Sequence, residues 1–386
     1  MSLTTQLHEG YLAAWCVRHL PGTSGVVAQL QAAGRVGGRP VRPPGQVGRE
    51  HWAQVGGIVD ARLSSFVQLA APYGALLGAV RLGAFARGTA ELEATAWPSH
   101  DGSPDRLLGL AVRPSPSGWI RLPSGGSSQP VPEPVEELLG EFLDRLLQFH
   151  TDHATAGQLG PDGVERQLAR AYWIVAQLEG AYRGGTVDPR LLETLTAPGA
   201  DVEHLLRLAP EQQVAEVVEI LHRLEEAGAL EEMRRLAGRS GDGLGYAGPA
   251  FLDRWADGDL ILTAPAAAGL GRLARRVAGG ETGPSSTLVD VKTVMRLDDE
   301  QRVARWLWQI AGYAALDAGD VWRIRRAGVL LARHGVLVTW PVEELFAQLA
   351  AVGGDRADEV RRSFADAVGQ AARSEGAVED AAPALL

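Results

Sequence analysis

The run Thr287-Leu288-Val289-Asp290-Val291-Lys292-Thr293-Val294 leaves the chain few conformations to choose from. β-Branched and apolar residues dominate it, and Gly283-Pro284-Ser285-Ser286 supplies a turn just ahead, so it reads as a strand. Strand side chains alternate, which puts Asp290 and Lys292 on one face, two residues apart. Composition then singles out one of the pair. Of the 37 Lys and Arg residues only Lys292 is lysine, and the chain contains no asparagine. Both residues have AT-rich codons, so a GC-rich genome explains their loss. An exposed charge is served as well by arginine; a site that needs a compact ammonium is not. Chance survival of one lysine is the plainer alternative at this stage.

The neighbouring stretches supply further polar groups. Asp259-Leu260-Ile261-Leu262 is a second apolar strand that opens on a carboxylate. Residues 299–317 have helical spacing, and Gln309 and Tyr313, four apart, share a face. Two carboxylates, an amine, an amide and a phenol suit a divalent-metal site for phosphodiester hydrolysis. Hard oxygen ligands hold Mg²⁺ or Mn²⁺, and an amine steadies an attacking hydroxide or the charge of the transition state.

The ordered set Asp259-Leu-Ile-Leu, Val-Asp290-Val-Lys292-Thr and Gln309-Ile-Ala-Gly-Tyr313 resembles the RecB-like branch of the PD-(D/E)xK nuclease superfamily. The resemblance covers residues 246–341, about a quarter of the chain, and Gly258 stands where proline often precedes the first Asp. It implies an α/β, restriction-endonuclease-like core with a short mixed sheet flanked by helices. It also implies Asp259, Asp290 and the Val291 carbonyl as ligands of Mg²⁺ or Mn²⁺, and Lys292 as the residue that orients water. Gln309 would position Lys292 or the water, and Tyr313 would contact substrate phosphate. Relatives often complete the site from a helix ahead of the sheet. The matching stretch here, Gly56-Gly57-Ile58-Val59-Asp60, offers Asp60, with Glu50 second to it. The 263–286 connection is long for a hairpin and leaves the pairing of the two strands open.

Length and composition bound the rest. A chain of 386 residues holds two or three modest domains, or one core with a large insertion. No run approaches the roughly 18 apolar residues of a membrane span, so no membrane partner is expected. Met1 to Gln6 lacks a signal-peptide pattern and Cys16 is the only cysteine, which together suggest a cytoplasmic protein. The net charge of −10 argues against a general nucleic-acid coating protein but not against a nuclease with a local arginine group. Arg302 to Arg333 hold such a group, and Arg305, Arg323, Arg325 and Arg326 are the candidates for gripping phosphate.

Along the chain, residues 1–97 are expected to be N-terminal helices of the nuclease fold, including an amphipathic helix from Arg49 to Ala70. Residues 98–134 form a Pro/Ser/Gly-rich excursion, with a short hairpin suggested at 107–112 and 119–122. Segments 135–150, 162–183, 188–195 and 210–237 have helical spacing with a break near Gly228, so 135–240 reads as an all-helical insertion. The nuclease core spans 241–345, with a hairpin at 327–340 about Gly335, and 346–386 give a C-terminal helix and a disordered tail. Two motifs are set aside. His150-Thr151-Asp152-His153 is expected in a solvated helix end. Gly243-Leu-Gly-Tyr-Ala-Gly248 matches the dinucleotide-binding pattern but follows a helix and runs into Pro249, where no helix N-terminus can meet a pyrophosphate.

The expectation is therefore a metal-dependent nuclease acting on DNA in preference to RNA, in defence against foreign DNA or in repair, with a protein partner for the helical insertion. The rival is a non-catalytic interaction scaffold on a nuclease-like sheet, favoured by the acidic surface and by the bulk of sequence unrelated to the motif.

Overall fold

The protein is described here from a computed structural model covering residues 2–97, 133–184, 186–238, 243–252, 255–264, 285–317 and 319–377. Residues 98–132 of the expected excursion, most of the 263–286 connection with its three arginines, and most of the acidic tail lie outside the described residues.

The N-terminal part is helical: α1 (Leu3–Glu9), α2 (Tyr11–His19), α3 (Thr23–Val36), α4 (Arg49–Val67), α5 (Tyr73–Arg81) and α6 (Arg87–Thr95). Ser2 caps α1 by accepting the Thr5 N–H, and Gly10 separates α1 from α2. Helices α5 and α6 lie within the 1–97 stretch expected to be helical; neither is delineated singly by the sequence, because the Ala/Gly/Leu-rich stretch from Pro72 has little polar periodicity. Then follow α7 (Glu133–His153), α8 (Asp162–Tyr182), α9 (Pro189–Thr196), α10 (Val202–Leu206), α11 (Glu211–Glu226) and α12 (Ala229–Ala237). Asp188 caps α9 with Pro189 in its first turn, and Gly228, at φ 80°, makes the break between α11 and α12.

The strands are β1 (Gly245–Ala247), β2 (Ala250–Leu252), β3 (Ala256–Asp257), β4 (Leu260–Ala264) and β5 (Ser285–Lys292). Helix α13 (Glu300–Leu316) then crosses to β6 (Ile324–Leu331), a 3₁₀ turn at Ala332–His334 leads to β7 (Val336–Pro341), and α14 (Val342–Ala350) and α15 (Gly354–Ser374) follow. One sheet has the order β1-β4-β5-β6-β7, with β5 and β6 parallel and the other neighbours antiparallel; β2 and β3 pair separately. A parallel pair needs a crossover, and α13 is that crossover. Strands β4 and β5 do pair, Leu260 opposite Val289 through Ala264 opposite Ser285, which settles the point that the long connection left open.

Both faces of the sheet are covered, which explains why β5 reads as a nearly continuous apolar run. Alternation sorts its residues. Leu288 enters a core with α1, α2, α3, α13, α14 and α15, whereas Val289 enters a second core with α4, α5, α8, α11 and α12. The helices expected as an insertion therefore form a layer of the fold. Helix α8 packs along α4 and α5, α11 packs on α4, and α12 lies on β4. Their apolar faces needed cover, and the sheet together with the N-terminal helices supplies it.

Two buried charge groups brace this layer. Arg62 on α4 donates Nε and Nη2 to Glu165 on α8, both at 2.7 Å. Arg333, fully buried after β6, donates to the Thr293 and Val41 carbonyls at 2.9 and 3.0 Å and to Glu216 on α11, and lies 4.7 Å over the Trp52 ring. It thereby fixes the backbone where β5 ends. His150 is a correction to the expected solvated helix end: it is 1% exposed, with Nε2 2.5 Å from the Tyr172 hydroxyl. The glycine pattern at 243–248 contributes β1, a strand rather than a strand-to-helix turn.

Candidate active site

Antiparallel pairing of β4 with β5 brings the first two motif elements together. Leu260 faces Val289, so continuing the register sets Asp259 opposite Asp290. Cβ atoms of such a pair lie about 4.5–5.5 Å apart, close enough for like charges to repel. Asp259 Oδ2 accepts the Val291 N–H at 2.7 Å, which holds the carboxylate against the end of β5. Asp290 is 1% exposed, with Oδ2 2.7 Å from Lys292 Nζ; its Oδ1 has no hydrogen-bond partner among the described residues. Burial, with Asp259 adding to it and Lys292 opposing, pushes the Asp290 carboxyl up to about 7. Burial works against the Lys292 charge, yet Asp290, Asp259 and Asp60 outweigh it and raise the amine above its ordinary value.

Helix α13 carries the third element. Asp299 caps it by accepting the Arg302 N–H at 2.9 Å. Leu288, Asp290 and Lys292 share the face of β5 that meets α13, so Gln309 reaches the lysine: Nζ to Oε1 is 3.4 Å, a long contact. Gln309 Nε2 donates to the Tyr313 hydroxyl at 2.9 Å, and that hydroxyl donates to the Asp257 carbonyl at 2.7 Å. The Tyr313 ring is buried and stacked on Phe251 at 5.3 Å. Tyr313 is the residue expected to contact substrate phosphate. Its hydroxyl is engaged on both sides, and it ties α13 to the loop that presents Asp259.

Asp60 joins from α4. Gly56, one turn earlier, lies so close to the end of β5 that a Cβ there would meet Thr293 Oγ1 at 3.0 Å. Asp60 Oδ1 is sealed from solvent without a hydrogen-bond partner among the described residues. Burial first, then Asp259, Glu179 and Asp290, raise its carboxyl well above the usual range. Glu50 stands ten residues up the same helix, roughly 15 Å away at 1.5 Å per residue, exposed and bonded to Gln54. It takes no part.

Of the four arginines expected to grip phosphate, three have other partners. Arg326 pairs in register with Thr287, three residues or about 10 Å along the strand from Asp290, and donates to Thr339. Arg325 forks onto Asp320 at 2.6 and 2.9 Å, and Arg323 lies two residues further from the carboxylates, before β6 begins. Arg305 is one turn before Gln309, but its guanidinium turns to His8 and Gln301. Among the described residues a further cation borders the site, Arg183, just past α8. It is largely exposed, paired with Glu179 at 2.5 Å, and held firmly protonated by Glu179, Asp60 and Asp259. As one basic residue at a helix end among many, it carried no signal in the sequence.

A divalent cation fits this donor set chemically. Asp290 Oδ1 and Asp60 Oδ1 are buried carboxyl oxygens lacking a donor, and the cost of charging neighbouring buried carboxyls is what a cation relieves. Among the described residues, no three His, Cys, Asp or Glu side chains already stand in ligating geometry together. None of the described helices is long and apolar enough to cross a membrane. Comparison with protein-family models, curated proteins and solved structures returned no match to this chain.

Proposed function

We propose that the protein is a metal-dependent nuclease that hydrolyses phosphodiester bonds, with DNA favoured over RNA as substrate. The observation that carries the reading is the convergence of Asp259, Asp290, Lys292 and Gln309, drawn from two strands and a helix, onto one partly open point at the end of β5. The same convergence supports the resemblance to the RecB-like branch, and the restriction-endonuclease-like core that the resemblance implies. A purely structural role would not need a buried carboxylate oxygen left without a donor.

Asp259, Asp290 and the Val291 carbonyl would hold Mg²⁺ or Mn²⁺, with Asp60 completing the set from the opposite side of the sheet. The ion would polarise the phosphate and lower the pKa of a bound water. Lys292 keeps its proton, so it serves as a donor and not as a base: Nζ holds the attacking oxygen in line and offsets charge gathering on the phosphate. Gln309 accepts from Nζ and restricts its swing, and Tyr313 in turn fixes Gln309. As the new O–P bond forms, the bond to the leaving oxygen breaks.

The test is incubation of end-labelled single- and double-stranded DNA and RNA with Mg²⁺, Mn²⁺ or a chelator. Cleavage that needs the ion and is lost in Asp290→Asn is expected. Cleavage indifferent to chelation or to Asp290→Asn, or no cleavage of any substrate, contradicts the reading.

A further inference from the structure

Beside the carboxylates lies a cleft of about 210 Å³, open to solvent, whose walls come from α4, α5, the end of α8 and the loop before β4. Asp60, Gly258 and Asp259 form one wall, so the cleft and the candidate metal site share a boundary. Three further features define what it can hold. Aromatic side chains line it, Tyr73 and Tyr182 half-buried and Trp97 buried. Ser64 and Gln68 place a hydroxyl and an amide in the wall, and Gln68 Oε1 is already committed to the Ala247 N–H. Arg183, largely exposed, stands among the lining residues next to Asp60 and Asp259.

Size decides the class of occupant. The volume is below the roughly 300–1,000 Å³ of pockets that enclose drug-sized ligands. It suits one planar ring system and is too small for a base pair. Aromatic walls accept any nucleobase, because every base has a π-face. Carboxylates along one wall would repel the attached phosphate, unless a divalent ion and Arg183 balance them.

We infer that this cleft is a subsite for one unstacked nucleobase adjoining the scissile phosphate, with Arg183 gripping the neighbouring phosphate. The inference rests on the nuclease reading for the direction of the strand, but base binding is measurable without cleavage. A base seated here has left its helix, so the subsite selects positions where the strand is already unpaired or easily opened, as at frayed ends and mismatches.

The experiment uses oligonucleotides carrying 2-aminopurine at one position at a time, bound in Ca²⁺ so that no turnover intervenes. The full-length wild-type chain, Tyr73→Ala, Arg183→Ala and Ser64→Phe are compared, with a thermal melt of each to confirm folding. A tenfold or greater change in fluorescence confined to one or two adjacent positions is expected. Tyr73→Ala should remove most of that change, and Ser64→Phe, which fills the cleft from its wall, should remove it while the protein stays folded. Arg183→Ala should weaken binding at least fivefold at every probe position. Uniform fluorescence along the oligonucleotide, or a localised signal untouched in folded Ser64→Phe, overturns the subsite. A localised signal from a protein that cleaves nothing in Mg²⁺ or Mn²⁺ sinks the nuclease reading and leaves base binding standing.

Discussion

At the scale of single residues, burial decides what each charge can do. Asp290 and Lys292 sit two residues apart on a covered strand, and each is tolerable there because of the other. His150 shows the opposite outcome: burial dominates, with Arg62 assisting, and lowers its pKa from 6.5 to about 4. Between those two values the unfolded chain binds the proton and the folded protein does not, so stability falls as pH drops from 6.5 towards 4. The loss is at most on the order of 3 kcal/mol. Chemical denaturation of wild type and His150→Gln across this window should show the pH slope flattened in the variant. Identical slopes would show that His150 is not the group that titrates.

Elements place these residues, and the exit of β5 is the critical one. Arg333 ties that exit to α11 through Glu216 and to the 41 segment through the Val41 carbonyl. Removing one partner of a buried ion pair costs about 3–5 kcal/mol. Arg333→Met should therefore lower stability by that amount and loosen the backbone beside Lys292. Amide exchange would register it at residues 291–294 before the rest of the sheet; protection unchanged there would refute the brace. Strands β4 to β7 and α13 were legible in the sequence because their signals are local: apolar runs, a capping Asp, and Gln309 four residues from Tyr313. The candidate site was legible for the same reason in Asp259, Asp290, Lys292 and Gln309. What was not legible depends on distant packing. Whether α7 to α12 stand apart or cover the sheet turns on which surface their apolar faces meet. The engaged hydroxyl of Tyr313 depends on the loop at Asp257, and Arg183 became visible only once α8 was laid beside α4.

At the scale of the whole molecule, a net charge of −10 sets how nucleic acid can be held. Few phosphates can be neutralised, so the logarithm of the binding constant should fall only gently with the logarithm of salt. Arg183→Ala should reduce that slope by about one, whereas Arg325→Ala, at a residue that does not line the cleft, should leave it unchanged. Equal effects from the two variants would move the phosphate contact away from the cleft. The two-sided sheet also explains why one end of β5 can carry the chemistry. Its middle is sealed by two cores, and at its C-terminal end Val291 and Lys292 are partly exposed. On the nuclease reading, the sole lysine of this chain acts at that end of β5 on a phosphodiester. Single-turnover cleavage of end-labelled DNA in Mn²⁺ by wild type and Lys292→Met tests it most directly. A rate loss of about 10²–10³-fold with Mn²⁺ affinity retained is expected; cleavage by Lys292→Met at the wild-type rate would rule that role out.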